Sequence, residues 1–104
     1  MTISVIGLNH KSANIDIREK FSFTADSASL LLRRIKKVRD IIEVIVVSTC
    51  NRTEIYCESA NGSDDIKNWL LSEKEYKSFA KHLYIHEEED AIEHLFNCLL
   101  YTSD

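Results

Sequence analysis

Apolar runs with the period of a β-strand occur four times along the chain. The first run is apolar on both parities, which predicts a strand in the centre of a sheet. In the third run, residues 52–59, Ile55 and Cys57 should face one side of the sheet. Cys57 is therefore predicted to be a small core residue. The other side should receive Glu54, Tyr56 and Glu58. The predicted strands cover residues 2–8, 41–48, 52–59 and 78–86.

Three further segments carry apolar residues at helical spacing. Thr24 is predicted to cap the first helix and Ser63 the second. Asp64 and Asp65 then lie near the positive end of the second helix dipole. The segment 16–23 is predicted to form only a short turn. The apolar positions are Ala28, Leu31, Leu32, Ile35 and Val38 in the first helix, Ile66, Trp69 and Leu70 in the second, and Ala91, Ile92, Leu95, Phe96 and Leu99 in the third, which opens with the acidic run 87–90.

The order of these elements, β-α-β-β-α-β with an added C-terminal helix, predicts an α+β fold. It is typical of the ferredoxin-like split βαβ arrangement, in which helices pack on one face of a four-stranded antiparallel sheet. The architecture alone predicts no function, because enzymes, ligand-binding modules and RNA-binding modules all use it.

Length and composition indicate one small domain. The 104 residues, 44% of them hydrophobic, can form one modest core. No apolar run reaches the length of a membrane span and no leader pattern opens the chain, so we expect a soluble, cytoplasmic protein. The net charge of -4 opposes nonspecific attraction to phosphate, and the basic segment 33–39 is most simply a solvated helix face. The 3 cysteines lack C-x-x-C spacing, which favours reduced thiols over a disulfide framework or a zinc site.

Cys50 stands between a strand and a polar cluster in the stretch VVSTCNRTEIY, residues 46–56. Most lone cysteines are buried and inert, which is one interpretation of this residue. The other is a nucleophile for acyl transfer. Thr49 and Asn51 offer hydrogen bonds beside it, and the charge of Arg52 favours a thiolate and suits a bound carboxylate.

Two long segments and one short segment resemble a known family. GLNHKSANIDIREKFSF at 7–23, STCNRTEIY at 48–56 and AIEHLF at 91–96 are similar to the N-terminal catalytic domain of glutamyl-tRNA reductases. The resemblance covers residues 1–97 and leaves 98–104 as a tail unlike the family. It implies the NADPH-dependent reduction of glutamyl-tRNA(Glu) to glutamate-1-semialdehyde. That reaction is the first committed step of the five-carbon route to 5-aminolevulinate, heme and other tetrapyrroles.

The resemblance also implies residue roles. Cys50 matches the nucleophile that forms a glutamyl thioester, and Thr49, Asn51 and Arg52 match substrate-binding positions. Arg52 suits the substrate's side-chain carboxylate, although a surface ion pair with a nearby glutamate is an alternative role for it. His94 matches a histidine that supports activity. It lies about 130° from the centre of its helix's apolar stripe, so we expect it to leave the core and approach Cys50.

Other histidines carry less weight as site residues. His10, at the end of the first strand, is most simply a solvated residue. His82 and His86 alternate on the predicted fourth strand, but no third ligand accompanies them and the family chemistry needs no metal.

The resemblance further implies an NADPH-binding domain and a dimerisation helix in the full-length family. The expected partners are glutamyl-tRNA(Glu), glutamate-1-semialdehyde aminotransferase and, for the full-length enzyme, a second copy. The chain's 2 glycines, Gly7 and Gly62, are too few for a G-x-G-x-x-G phosphate loop. We therefore expect no NADPH binding by these residues, and acyl transfer without reduction.

A noncatalytic split-βαβ module that binds a small ligand, RNA or another protein is the alternative. An RNA-binding version should carry aromatic residues on central strands, and the strand containing VIVVS has none. Thiol reactivity separates the alternatives, because an activated Cys50 should alkylate much faster than Cys57.

Overall fold

The computed structural model describes residues 2–21, 24–49 and 51–101, without the side chains of 25, 74, 75 and 96–101. In this part of the chain the regular elements follow one another as a small α+β fold. They are β1 (Thr2–Asn9), α1 (Ile15–Lys20), α2 (Ala25–Lys36), β2 (Ile41–Ser48), β3 (Arg52–Ser59), α3 (Ser63–Ser72), α4 (Lys74–Lys77), a 3₁₀ turn (Ala80–His82), β4 (Tyr84–Glu87) and α5 (Glu89–Tyr101).

The four strands form one antiparallel sheet in the order β2-β3-β1-β4. β1 and β3 lie in the centre, which confirms the position predicted for the first strand. β1 pairs with β3 along its whole length, from Thr2 opposite Ser59 to Asn9 opposite Arg52. This pairing brings the end of β1 beside the start of β3, where the STCNR segment enters the strand.

The main hydrophobic core lies between one face of the sheet and helices α2 and α3. Ile6 and Ile55 from the central strands are at most 1% exposed and pack with Ile35 of α2 and Ile66 of α3. Cys57 belongs to the same core, as its strand parity predicts. This packing accounts for the amphipathic pattern of both helices, because each buries one stripe against the sheet.

Helix α5 packs on the opposite face of the sheet, so helices cover both faces rather than one. Ala91, 1% exposed, and Leu95 contact Val5 and Tyr56 there. β1 is apolar on both parities because both of its faces are covered. Ile92 is 44% exposed, so its predicted place in the buried stripe is wrong. The predicted packing of Phe96 and Leu99 lies outside the described side chains.

The predicted strand 78–86 is wrong over its first half. Residues 78–83 form turns and the 3₁₀ segment, and β4 begins at Tyr84. Tyr76 and Phe79, three residues apart, both pack on Phe21, with ring centroids 5.6 and 5.1 Å away. That spacing suits helical turns, so aromatic packing outweighs the local strand preference. His82 is therefore not on the strand that carries His86.

Of the two predicted helix caps, Thr24 is confirmed and Ser63 is wrong, and a short helix is present where only a turn was predicted. Thr24 caps α2, and its hydroxyl accepts the Ser27 amide at 3.2 Å in a capping box. Residues 15–20 form the helix α1, because Asn14 accepts the amide of Ile17 at 3.0 Å and caps it. Ser63 is the first residue of α3 rather than its cap.

The N-terminus of α3 is capped from a distant strand. Gly62 precedes the helix with φ 75°, a conformation that favours glycine, and offers no side chain. Instead, Oε2 of Glu87 on β4 accepts the Ser63 amide at 3.2 Å. A carboxylate there also lies near the positive end of the helix dipole. The cap thus ties α3 to the far edge of the sheet.

Replacing Glu87 with glutamine should remove the charge from this cap while keeping its size. We expect a loss of about 0.5–1 kcal/mol in the free energy of unfolding, measured by urea titration. Glu93→Gln, an exposed change on α5, is the matched control and should have a smaller effect. Equal losses in the two variants would contradict a capping role for Glu87.

Candidate active site

The turn between β2 and β3 is held together by Thr49. Its amide donates to the carbonyl oxygen of Arg52 at 2.8 Å, and its hydroxyl accepts the amides of Asn51 and Arg52, both at 3.2 Å. Thr49 therefore fixes the backbone on either side of position 50 in the sequence. Cys50 itself lies outside the described residues, so its role as nucleophile stays a prediction, as do the substrate contacts of its neighbours.

A buried glutamate stands beside Arg52. Glu54 lies two residues further along β3, on the same face of the sheet, and its side chain is 0% exposed. Nε of Arg52, whose side chain is 12% exposed, is 3.2 Å from Oε1 of Glu54. The expected alternative for Arg52, an ion pair with a nearby glutamate, is present, but the pair is largely buried rather than on the surface.

The Glu54 side chain lies across the centre of the sheet above a glycine. Gly7 on β1 is opposite Glu54 on one side and opposite Tyr84 of β4 on the other. The Tyr84 hydroxyl donates to Oε2 of Glu54 at 2.6 Å, and the Tyr56 hydroxyl donates to Oε1 at 3.1 Å. A Cβ atom on Gly7 would be 2.9 Å from Cγ of Glu54, so the glycine provides the space for this arrangement.

Helix α5 brings His94 to the same carboxylate. Nε2 of His94 contacts Oε2 of Glu54, and the imidazole stacks on His86 with centroids 4.7 Å apart. The Tyr84 ring lies 5.3 Å from the His94 ring. The prediction that His94 leaves the core is wrong: α5 turns Ala91 and Leu95 toward the sheet and Ile92 away from it, so His94 also faces the sheet, with its side chain 20% exposed. Its expected approach to Cys50 is not tested, but Glu54 connects it to Arg52.

Glu54, Tyr84 and Gly7 were not predicted as parts of this cluster. Strand parity places Glu54 on the face of the sheet that points away from the main core, which is typical of a solvent-facing residue. The missing information is that α5 covers that face. The available signal was the alternation of Arg52, Glu54 and Tyr56, three polar-tipped side chains on one face of a central strand.

His10 and His82 lie outside the cluster around Glu54. His10 is exposed after β1, and Nδ1 of His82 is 3.4 Å from the Ser12 carbonyl oxygen. Among the described residues, no group of three or more histidine, cysteine, aspartate or glutamate side chains is arranged to hold a metal ion. None of the described helices is both long and apolar enough to cross a membrane.

The basic segment is partly neutralised by neighbouring acids. Nη2 of Arg34 is 2.7 Å from Glu73, and the guanidinium lies 5.5 Å from the centre of the Trp69 ring. Nζ of Lys36 is 2.9 Å from Glu43. These contacts support the interpretation of this segment as an ordinary helix surface.

Neither glycine fits a phosphate cradle for NADPH. Gly7 lies inside β1 beneath Glu54, and Gly62 precedes α3, whose N-terminus is the kind of position that binds phosphate in dinucleotide sites. There, however, the Ser63 amide already donates to the Glu87 carboxylate, a negative group that would repel phosphate. Neither glycine therefore belongs to a phosphate-binding loop.

The fold and this cluster define a small α+β domain with a covered polar site on an antiparallel sheet. The family model described as "Glutamyl-tRNAGlu reductase, N-terminal domain" matches residues 6–99. The chain belongs to this family. The predicted division of the chain at residue 97 stays a prediction.

Individual relatives agree with this assignment. The chain is 46% identical over 101 residues to glutamyl-tRNA reductase of Brevibacillus brevis, covering 92% of the chain and 22% of that protein. It is 36% identical over 99 residues to glutamyl-tRNA reductase of Idiomarina loihiensis, covering 93% of the chain and 23% of that protein. It thus spans less than a quarter of these relatives' length.

A solved structure supports the fold. Glutamyl-tRNA reductase from Methanopyrus kandleri superposes with a TM-score of 0.63 at 19% identity, over 91% of this chain and 21% of that one. At this identity the similarity concerns the architecture alone.

Replacing Gly7 with alanine should disturb the packing beneath Glu54. The new Cβ would lie 2.5 Å from the Thr53 carbonyl oxygen, and the backbone must shift to relieve the clash. We expect a loss of about 1–3 kcal/mol in the free energy of unfolding, measured by urea titration. Ile45→Ala, at a position 63% exposed on the edge strand β2, is the control and should cost less. An unchanged midpoint for the Gly7 variant would contradict the close contact.

Cys57 should make the stability of the folded chain decrease at alkaline pH. Burial raises the pKa of its thiol above the usual 9.0, although hydrogen bonds from Ser4 and Ser59 act in the opposite direction. The folded state then holds the proton more tightly than the unfolded state. The corresponding stability is fully present below pH 9.0 and is lost as the pH rises through the folded-state pKa.

The stability difference between the wild-type chain and Cys57→Ala should therefore shrink above pH 9.0. The check is a series of urea titrations of both proteins from about pH 7 to about pH 10. Groups common to both proteins cancel in this difference. A difference that is constant across the series would contradict the raised pKa of the thiol.

Proposed function

We propose that this chain carries out the glutamyl-accepting half-reaction of a glutamyl-tRNA reductase. The Cys50 thiolate attacks the ester carbonyl carbon of glutamyl-tRNA(Glu), and a carbon–sulfur bond forms. The ester carbon–oxygen bond breaks, and the departing ribose oxygen takes up a proton. The product is a glutamyl thioester on Cys50 and free tRNA. Family membership supports this assignment, and the geometry of the site adds to it.

The observation that carries the proposal is the cluster on Glu54. One carboxylate contacts both Arg52, two residues from Cys50 in sequence, and His94 of α5. These are the cation and the imidazole that the chemistry requires. A guanidinium recognises a carboxylate, and an imidazole transfers a proton near neutral pH. Their meeting point is next to the turn that contains position 50.

Arg52 is proposed to bind the side-chain carboxylate of the substrate while it contacts Glu54. A guanidinium has two edges that accept a carboxylate in bidentate fashion, one of which includes Nε. Glu54 lies against Nε, at 3.2 Å. The match of Arg52 to the family motif supports the proposal that its guanidinium also binds the substrate's side-chain carboxylate. Thr49 and Asn51 complete the glutamate-binding segment by matching the family motif.

His94 is proposed to give a proton to the ribose oxygen as it departs. Ribose alkoxide is a poor leaving group, and protonation during bond breaking lowers that barrier. The stacked His86 and the neighbouring Tyr84 hold the imidazole on the sheet side of α5.

The later reduction of the thioester to glutamate-1-semialdehyde is proposed to need residues beyond these 104. The proposal is supported by the chain's span of only 22% of its Brevibacillus brevis relative and by the Glu87 carboxylate, which opposes phosphate binding at the α3 N-terminus. In the complete enzyme, NADPH supplies the hydride for tetrapyrrole synthesis. A cytoplasmic location, a homodimeric full-length enzyme and transfer of product to an aminotransferase are parts of the same proposal.

The strand order supports a split βαβ topology, which leaves an RNA-binding module as the competing function. The VIVVS strand, β2, is at the edge of the sheet and not central, so its lack of aromatic residues says little. The central strand β3 carries Tyr56, but α5 covers it and leaves it 9% exposed. A base-stacking platform requires open aromatic faces, so the geometry favours acyl transfer.

Incubation of the chain with glutamyl-tRNA labelled on glutamate tests the proposal. Acid quenching and mass analysis should find one glutamyl group on the peptide containing Cys50. Because water is the remaining acceptor, the adduct should then decay slowly and release glutamate. Circular dichroism confirms that the chain is folded.

Cys50→Ser and Cys57→Ser are the matched variants for this experiment. The first should form no thioester, while the second should retain the adduct, since Cys57 is buried in the main core. Absence of an adduct on the folded wild-type chain, or an adduct that survives in Cys50→Ser, would contradict the proposed function.

A further inference from the structure

We propose that Glu54 is the positioning residue of this site, and that its carboxylate holds the guanidinium of Arg52 and the imidazole of His94 in one fixed relation. The inference rests on the acyl-transfer function proposed above. Glu54 acts through these two residues and does not touch the substrate.

Arg52 and His94 contact different oxygens of the Glu54 carboxylate. Arg52 lies against Oε1 and His94 against Oε2. The separation between the guanidinium and the imidazole is therefore set by the width of one carboxylate. Arginine has a long, flexible side chain, and the fixed negative charge of Glu54, 3.2 Å from Nε, restricts its freedom through an ion pair. The two groups then meet the substrate already aligned, which is how positioning lowers a barrier.

The carboxylate is itself held in place from two sides. The Tyr56 hydroxyl donates to Oε1 at 3.1 Å and the Tyr84 hydroxyl to Oε2 at 2.6 Å. Gly7 leaves space beside Glu54, because a Cβ atom there would lie 2.9 Å from Cγ of Glu54. With 0% exposure, Glu54 has no competing hydrogen bonds from bulk water. A site residue whose own orientation is fixed by neighbours can hold others precisely enough for chemistry.

The contact with Glu54 also selects which imidazole nitrogen faces the substrate. A carboxylate accepts hydrogen bonds, so Nε2 of His94 must carry the proton at this contact. Nδ1 is then the nitrogen that exchanges protons elsewhere. The groups facing the imidazole are Glu54 from β3 and Tyr84 and His86 from β4. Glu54 supplies the negative charge among them.

Glu54→Gln is the decisive variant, because the amide keeps the shape of the side chain and removes its charge. Glu58→Gln is the matched control, since Glu58 lies on the same strand and the same face of the sheet. The rate of adduct formation on the intact chain is measured by rapid quench over a range of glutamyl-tRNA concentrations. We expect the limiting rate to fall and the half-saturating concentration to rise, each about tenfold or more.

A purely structural role for Glu54 predicts a different result. Loss of folded protein would lower the amount of adduct and leave the rate and the half-saturating concentration of the folded fraction unchanged. That outcome, or equal effects of Glu54→Gln and Glu58→Gln, would overturn the proposal.

A second readout needs no activity. In ¹⁵N-labelled chain, the Nε2 proton of His94, assigned by its loss in His94→Gln, should exchange slowly with water. It should exchange at least about tenfold faster in Glu54→Gln and remain slow in Glu58→Gln. Unchanged exchange in Glu54→Gln would overturn the positioning role. Absence of any adduct together with the expected exchange pattern would contradict the proposed function alone.

Tyr84→Phe serves if Glu54→Gln does not fold. This change keeps the charge on Glu54 and deletes its 2.6 Å hydrogen bond. Faster exchange of the His94 proton would support the positioning role, and unchanged exchange would overturn it.

Discussion

Removing a carboxylate from water is unfavourable by several kcal/mol unless cations and hydrogen-bond donors compensate, and the second face of this sheet is arranged around that constraint. Glu54 has 0% exposure, and its compensating groups come from three elements: Arg52 and Tyr56 of β3, Tyr84 of β4 and His94 of α5. The packing of α5 follows from this requirement as much as from its apolar stripe. The apolar contacts of Ala91 and Leu95 bring the helix to the sheet, and the His94 contact determines how it is rotated there.

Local patterns predicted most of the fold because most of the elements are determined locally. The strands 41–48 and 52–59 agree with β2 and β3 at both ends, and the capping residue Thr24 is confirmed. The errors occur where distant contacts decide the structure. The segment 78–83 turns because Phe79 packs on Phe21, and the α3 N-terminus uses Glu87 from another strand in place of Ser63. Neither partner is visible in the local sequence.

The candidate site was predictable only in part for the same reason. Arg52 and His94 could be found from the family motif, whereas helix geometry placed His94 on the wrong side of α5 because it put Ile92 in the buried stripe. Glu54 could not be recognised, because strand parity indicates which face a residue occupies but not whether another element covers that face. The match over residues 6–99 gives the family of the domain, and the TM-score of 0.63 supports its fold. The position of Glu54 between Arg52 and His94 is visible only in the side-chain contacts.

The dependence of the site on α5 links its integrity to local rather than global unfolding. Glu54 and His94 are 40 residues apart. The described side chains of α5 meet the rest of the domain in the small cluster with Val5 and Tyr56 and through the contacts of His94 with Glu54, Tyr84 and His86. The main core with α2 and α3 lies on the other side of the sheet. If α5 detaches, water reaches Glu54 and its contact with His94 is lost, although the sheet and main core remain. The fraction of time that α5 stays docked therefore sets an upper limit on the fraction of molecules with a complete site.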